Sequence, residues 1–265
     1  DSITRGALAL DTDVAGAIDQ PNERISYGFT LGGPTLVMVD TWGSSSSFNW
    51  SLSGPRGSEA SSRSFTSTSP NVFSLPAGDY EFTVAASSLV TGEFNFRLTD
   101  LSAATTLALD AATHVSVMPG DRSRAQRVTL AEATELFVDA LGYSSGSAEW
   151  RIYDTAGRQR AYGSDIRADS GRFALGGGEY YFVVNGTDQS YDGEFDIALR
   201  KATTKTEVMA LDTTVNGLVD QPGQWVEYTL TIADATTLLF DSLTNSSDLR
   251  WDLVGPDGWI RSGYG

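Results

Sequence analysis

Seven aspartates, six of them at recurring places along this 265-residue chain, are the side chains best suited to chemistry. Asp11, Asp110 and Asp212 each follow a leucine, Asp40, Asp139 and Asp241 each close a short apolar run, and Asp13 stands beside the first of them. A hard cation such as calcium wants several carboxylate and carbonyl oxygens, which strand-end loops can supply together. The same side chain accepts hydrogen bonds from turn amides, which alone accounts for an aspartate at the end of a strand. No Asp-x-Asp-x-Asp-Gly loop or Gly-Gly-x-Gly-x-Asp array is present. The seven are therefore calcium candidates by residue type and not by a loop signature, and no cofactor is required.

Other groups that could act are fewer. His114 is the single histidine, so a Ser-His-Asp arrangement would have to use it, and no nucleophile elbow flanks it. Its counterparts in the alignment below are Ala15 and Asn216, which marks it as a surface substitution. Glu93 and Glu194 recur, as do Asp79 and Glu179, although a catalytic carboxylate pair would normally be unique. The chain reads as a non-enzyme. Trp42 and Trp259 fall in loops or at strand edges and are the candidates for stacking on a glycan or matrix ligand. Trp50, Trp150 and Trp251 are a different set. They recur at a spacing of about a hundred residues, each followed seven residues later by a glycine, and the alternation Phe48-Asn-Trp50-Ser-Leu52 turns the first of them inward.

Recurrence at that spacing is the main fact about the elements that carry these residues. Leu75-Pro-Ala-Gly78-Asp-Tyr80 returns as Leu175-Gly-Gly-Gly178-Glu-Tyr180, and Gly92-Glu-Phe94 returns as Gly193-Glu-Phe195. Tyr80, Phe82 and Val84 alternate with polar residues, as do Phe94, Phe96 and Leu98, which predicts strands with one buried face. Val37-Met-Val39, Leu136-Phe-Val138 and Leu238-Leu-Phe240 are apolar at consecutive positions and predict strands covered on both faces. Frequent Gly and Pro turns between short strands predict an all-β fold of tandem antiparallel β-sandwich repeats, jelly-roll-like, of about 100 residues each. Boundaries fall at 1–103, 104–203 and 204–265. The third segment lacks counterparts of the Tyr80 and Phe94 strands, so it is expected to be completed by residues outside this chain. Further copies of the repeat or a neighbouring subunit would supply them.

Composition narrows the partners. The formal charge of −16 repels nucleic acid and anionic membrane surfaces. Apolar runs are far too short to span a bilayer, so no membrane insertion is expected. Cysteine is absent, which removes both a disulfide framework and a thiolate metal site.

Tyr27-Gly-Phe29-Thr-Leu31, an apolar run ending in Asp40, Leu75-Pro-Ala-Gly-Asp-Tyr80-Glu-Phe-Thr-Val84 and Gly92-Glu-Phe-Asn-Phe-Arg-Leu98 together resemble bacterial pre-peptidase C-terminal domains. The resemblance covers both full segments and the partial third, in strand-and-turn patterns. It implies an extracellular or cell-surface jelly-roll module of a secreted bacterial protein and transfers no catalytic residue. Two roles follow from it. One is a structural or adhesive repeat in a surface or fibre-forming protein; the other is a carbohydrate- or matrix-binding accessory module of a secreted hydrolase.

Overall fold

Alternating apolar and polar residues put one face of each strand into a core, and the chain is built accordingly. Among the described residues of the computed structural model (3–43, 47–67, 70–86, 89–117, 123–187, 193–244 and 246–264) there are strands, one 3-10 turn at Leu101–Ala103, and no α-helix. No helix there is long and apolar enough to cross a membrane.

Nine strands make the first module: β1 Ile3–Ala7, β2 Asp13–Ile18, β3 Arg24–Leu31, β4 Thr35–Gly43, β5 Phe48–Gly54, β6 Gly57–Ser64, β7 Asn71–Leu75, β8 Gly78–Ala86 and β9 Gly92–Asp100. They form two sheets, β1-β3-β8-β5-β6 and β2-β9-β4-β7, which share one buried core. The second module runs β10 Thr105–Thr106, β11 Thr113–Val117, β12 Ser123–Leu130, β13 Thr134–Ser145, β14 Ala148–Asp154, β15 Gln159–Gly163, β16 Phe173–Leu175, β17 Gly178–Gly186 and β18 Gly193–Lys201. Its sheets are β10-β12-β17-β14-β15 and β11-β18-β13-β16. Strand for strand, that is the order of the first.

Pairing is antiparallel except at one edge of each module, where β1 runs parallel to β3 and β10 parallel to β12. The wholly antiparallel expectation misses this edge for a physical reason. Between β1 and β3 the chain crosses to the opposite sheet as β2 and returns, so it re-enters the first sheet in its original direction.

The two cores explain the recurring motifs. Trp50 stacks on Phe82 and Trp150 on Phe182, at 5.3 and 5.8 Å between ring centroids. The Leu-x-x-Gly-x-Tyr pattern locks the entrance to β8 and β17. Gly78 and Gly178 take φ of 147° and 151°, a region open to glycine, and the tyrosine hydroxyl two residues on reaches back to a carbonyl. Tyr80 donates to the Pro76 oxygen at 2.7 Å and Tyr180 to the Gly176 oxygen at 3.0 Å.

Four strands follow: β19 Thr204–Val208, β20 Trp225–Thr229, β21 Arg250–Gly255 and β22 Gly258–Tyr264, in the pairs β19-β20 and β21-β22. Compactness divides the chain into two units. One comprises Asp1–Lys205 with Leu218–Val226, and so contains both modules; the other comprises Thr206–Gly217 with Glu227–Gly265.

Candidate functional site

Consecutive apolar residues in a strand need cover on both faces, and β4 shows where the second cover comes from. Val37 and Val39 enter the first core, while Leu36 and Met38 point the other way. There they join Leu101, Tyr153, Tyr181 and Val183 in a third buried cluster, with Val72, Ala104 and Ala125 packed against it. This cluster is a joint in which the outer face of β2-β9-β4-β7 meets the outer face of β10-β12-β17-β14-β15. The difference between the modules is visible in one strand. The outward positions of β17 are Tyr181, Val183 and Asn185; those of β8 are Glu81, Thr83 and Ala85, where Thr83 bonds the Ser26 hydroxyl at 3.0 Å. The first module's corresponding face is thus polar, and the second module's is made for contact.

A chain of polar groups runs through the joint. The Ser123 hydroxyl lies 2.6 Å from Asp40 Oδ1 and 2.7 Å from Asn185 Oδ1, and its single proton serves the carboxylate, the stronger acceptor. Asn185 Nδ2 sits 3.5 Å from Glu149 Oε1, and Arg151 donates to that same oxygen at 2.5 Å. The Arg151 guanidinium also donates to Gln159 at 3.1 Å and lies 4.8 Å from the Tyr162 ring centre, while the Tyr162 hydroxyl donates to Glu149 at 3.2 Å. Tyr153 reaches across to the first module and donates to the Pro70 oxygen at 3.2 Å. Burial pushes its phenol up to about 12. Burial, then the hydrogen bond to Glu179, pushes the Tyr181 phenol up to about 12 as well. A cleft of about 250 Å³ opens at the margin of the joint, lined by Asp11, Arg97, Asp100 and Arg124 among others.

The seven aspartates separate by position. Asp11 and Asp110 both sit at φ 62° and Asp212 at 54°, a left-handed turn that aspartate tolerates better than most residues. The N–H of Asp11 donates to the Leu98 oxygen at 2.7 Å and its carboxylate accepts the Asp100 N–H at 3.0 Å. Asp110 repeats the clip on Leu199 and the Lys201 N–H, both at 2.9 Å. Asp13 lies 3.5 Å from Arg97, and Asp212 and Asp241 are exposed. Asp40 is 3% exposed within the joint; Asp139, its counterpart, is 7% exposed and held by the Arg200 guanidinium. Among the described residues no three His, Cys, Asp or Glu side chains converge as a metal cage would require. Trp42 is half-buried near the end of β4, and Trp259 is exposed in β22.

Two clusters were not foreseen from sequence. Arg172, at the place of Val72, is half-buried: it donates to the Gly223 oxygen at 3.1 Å and to Glu135 at 2.8 Å, and its guanidinium lies 4.1 Å from the Trp225 ring centre. The contiguous apolar run Tyr180-Tyr-Phe-Val-Val184, against the strict alternation at 80–84, was the available signal for the joint itself.

The second cluster is at the surface. His114 bridges Asp196 at 2.8 Å and Glu194 at 2.6 Å across the β11–β18 ladder. Hydrogen bonds to Asp196 and then Glu194 raise its pKa above the ordinary histidine value. A raised folded-state pKa means that the contribution to stability is complete below the unfolded value near 6.5 and is lost as pH rises through the folded one. As the only histidine, it gives an unambiguous imidazole signal. We expect its NMR titration midpoint above 6.5, falling back when Asp196 is replaced by Asn; a midpoint at or below that value would refute the bridge.

No family model matches the chain, and no curated protein matches it by sequence. Its fold is similar to that of the pre-peptidase C-terminal domain of a collagenase from Bacillus anthracis, at 20% identity and a TM-score of 0.32, over 36% of this chain and 93% of that one. A periplasmic inhibitor of g-type lysozyme from Aeromonas hydrophila is similar at 16% identity and 0.29, over 37% and 98%. The human MASP-1/3 CUB1-EGF-CUB2 segment follows at 7% identity and 0.22, over 70% and 99%.

Proposed function

We propose that the chain consists of tandem copies of one jelly-roll module, and that it serves as a non-catalytic, rigid structural or adhesive segment of a secreted bacterial surface or fibre-forming protein. One observation carries this reading. Two modules with the same strand order are welded face to face by a buried apolar cluster with a hydrogen-bonded polar chain through it, and not strung on a linker. Modules meant to move independently meet through small polar contacts; a sheet-on-sheet joint with Met38 and Val183 fully enclosed resists bending. The clips made by Asp11 and Asp110, and the partners of Asp40 and Asp139, give these four carboxylates structural work without a metal.

The chain has no native cysteine, so spin labels can be placed cleanly. Labels at Glu81→Cys and Ala168→Cys, both exposed sites in different modules, should give one narrow distance distribution by pulsed electron resonance. Chelator should leave it unchanged. A broad distribution would refute the rigid-segment reading, and one that narrows with calcium would move the joint's rigidity to a metal.

A further inference from the structure

Leu136 and Val138 enter the second core, so Glu135 and Phe137 of β13 point to the outer face of its sheet. Leu36 and Met38 hold the same places in β4, where the first joint covers them. Phe137 is 2% exposed, and here Gly223 lies against it, in a stretch (residues 218–226) that belongs to the same compact unit as both modules. Gly223 sits at φ 66°, and a Cβ on it would come 2.2 Å from the Phe137 ring. Glycine alone brings the main chain this close in this conformation without strain.

Arg172 takes hold of that glycine. The residue as a whole is half-buried, but its side chain is 6% exposed. Nε and Nη2 both donate to the Gly223 oxygen, at 3.1 and 2.5 Å, and Nη2 donates again to the Thr203 oxygen at 2.5 Å. Nη1 donates to Glu135 at 2.8 Å and to the Thr204 hydroxyl at 3.0 Å. All the donors of the guanidinium fork are thereby used. The Trp225 N–H donates to the same Thr203 oxygen at 2.9 Å, and the Trp225 ring centre lies 4.1 Å from the guanidinium, within cation–π range. The first joint uses an unrelated set. Val72 holds the place of Arg172 there, and Ser123, at the place of Trp225, bonds Asp40. Asp19-Gln-Pro21 returns as Asp220-Gln-Pro222, so the first module has Asn22 and Arg24 where this turn has Gly223 and Trp225.

We propose that the outer face of the β11-β18-β13-β16 sheet is a docking surface for a turn of the pattern Gly-x-Trp, supplied by residues 218–226, with Arg172 as its latch. The glycine seats the main chain on Phe137, its carbonyl fills the fork, and the indole stacks on the guanidinium. The pairing is selective, because an asparagine at the glycine place would drive a side chain into the Phe137 ring, and an arginine at the tryptophan place would set two guanidinium groups together. The two joints thus use one face of the module with different chemistry, apolar in the first and a charged latch in the second. The inference rests on reading the segments as copies of one module. The spin-label measurement concerns the first two modules only, so its failure and a failure here are distinguishable.

The test is amide hydrogen exchange in the isotope-labelled full chain, read at residue 225 for the latch and at Val183 for the second module itself. Arg172→Val installs the first module's residue, and protection at residue 225 should fall about tenfold or more while Val183 stays as in the parent. Arg172→Lys keeps the charge without the fork and should lie nearer the valine variant than the parent. The double variant Gly223→Asn with Trp225→Arg installs the first module's turn and should release residue 225 as fully as Arg172→Val. Parent-like protection at residue 225 in the valine variant or in the turn variant overturns the proposal. So does an equal loss at Val183, because Arg172 would then serve only the second module's own stability. A lysine variant as protected as the parent overturns it too, since charge alone would then hold the turn.

Discussion

Replacing Trp150 by Ala should lower the unfolding free energy of the second module by roughly 3–5 kcal/mol, the range for emptying a buried aromatic site. The indole is enclosed by Phe182 and Phe173, with ring centroids at 5.8 and 5.5 Å, and by Gly163, where a Cβ would come 2.2 Å from the indole nitrogen. Neither sheet can close on the space without breaking its ladders. Trp150→Phe should cost far less. The indole N–H is buried without an acceptor among the described residues, so the phenyl ring gives up volume but also removes an unsatisfied donor worth about 1–3 kcal/mol. Chemical denaturation followed by near-ultraviolet circular dichroism would test the pair. An alanine variant no less stable than the phenylalanine one would show that the tryptophan is not the core's keystone. Gly163→Ala should behave like a core mutation, since its new methyl group has nowhere to go but into the indole.

Much of this core was legible in the residues themselves. Inward tryptophans follow from the alternation around Trp50, and the entrances to β8 and β17 from Leu-x-x-Gly-x-Tyr, because glycine at positive φ and a tyrosine reaching back are local facts. Consecutive apolar residues at Val37-Met-Val39 correctly implied two buried faces. What covers the second face was not legible, because Met38 carries no record of its partner and the partner strand lies over a hundred residues away. The aspartates show a related ambiguity. Asp11 and Asp110 turned out to clip a loop to the end of a distant strand, through a main-chain amide that no sequence pattern announces. The parallel edges of β1 and β10 were invisible for the same reason, since strand direction depends on which sheet the chain visits in between.

The largest effect at the joint should come from Arg151. Both it and Glu149 have side chains 9% exposed, and the guanidinium is the only cation bonded to that carboxylate among the described residues. Arg151→Met keeps the apolar stem but leaves Glu149 buried with only the Tyr162 hydroxyl and the distant Asn185 amide, 3.2 and 3.5 Å away, to stabilise its charge. Breaking one side of a buried pair costs about 3–5 kcal/mol, more than the intact pair contributes, because the desolvated charge remains. The double variant Glu149→Leu with Arg151→Met should recover most of the loss, since an apolar pair of similar volume is often as stable as the ions it replaces. The two measurements together separate stability from orientation. If the polar chain from Asp40 through Ser123, Asn185 and Glu149 sets the angle between modules, the double variant will melt near the parent temperature yet broaden the Glu81–Ala168 label distribution. A double variant that is both stable and as narrow as the parent would place the rigidity in the apolar cluster of Met38, Tyr181 and Val183 alone.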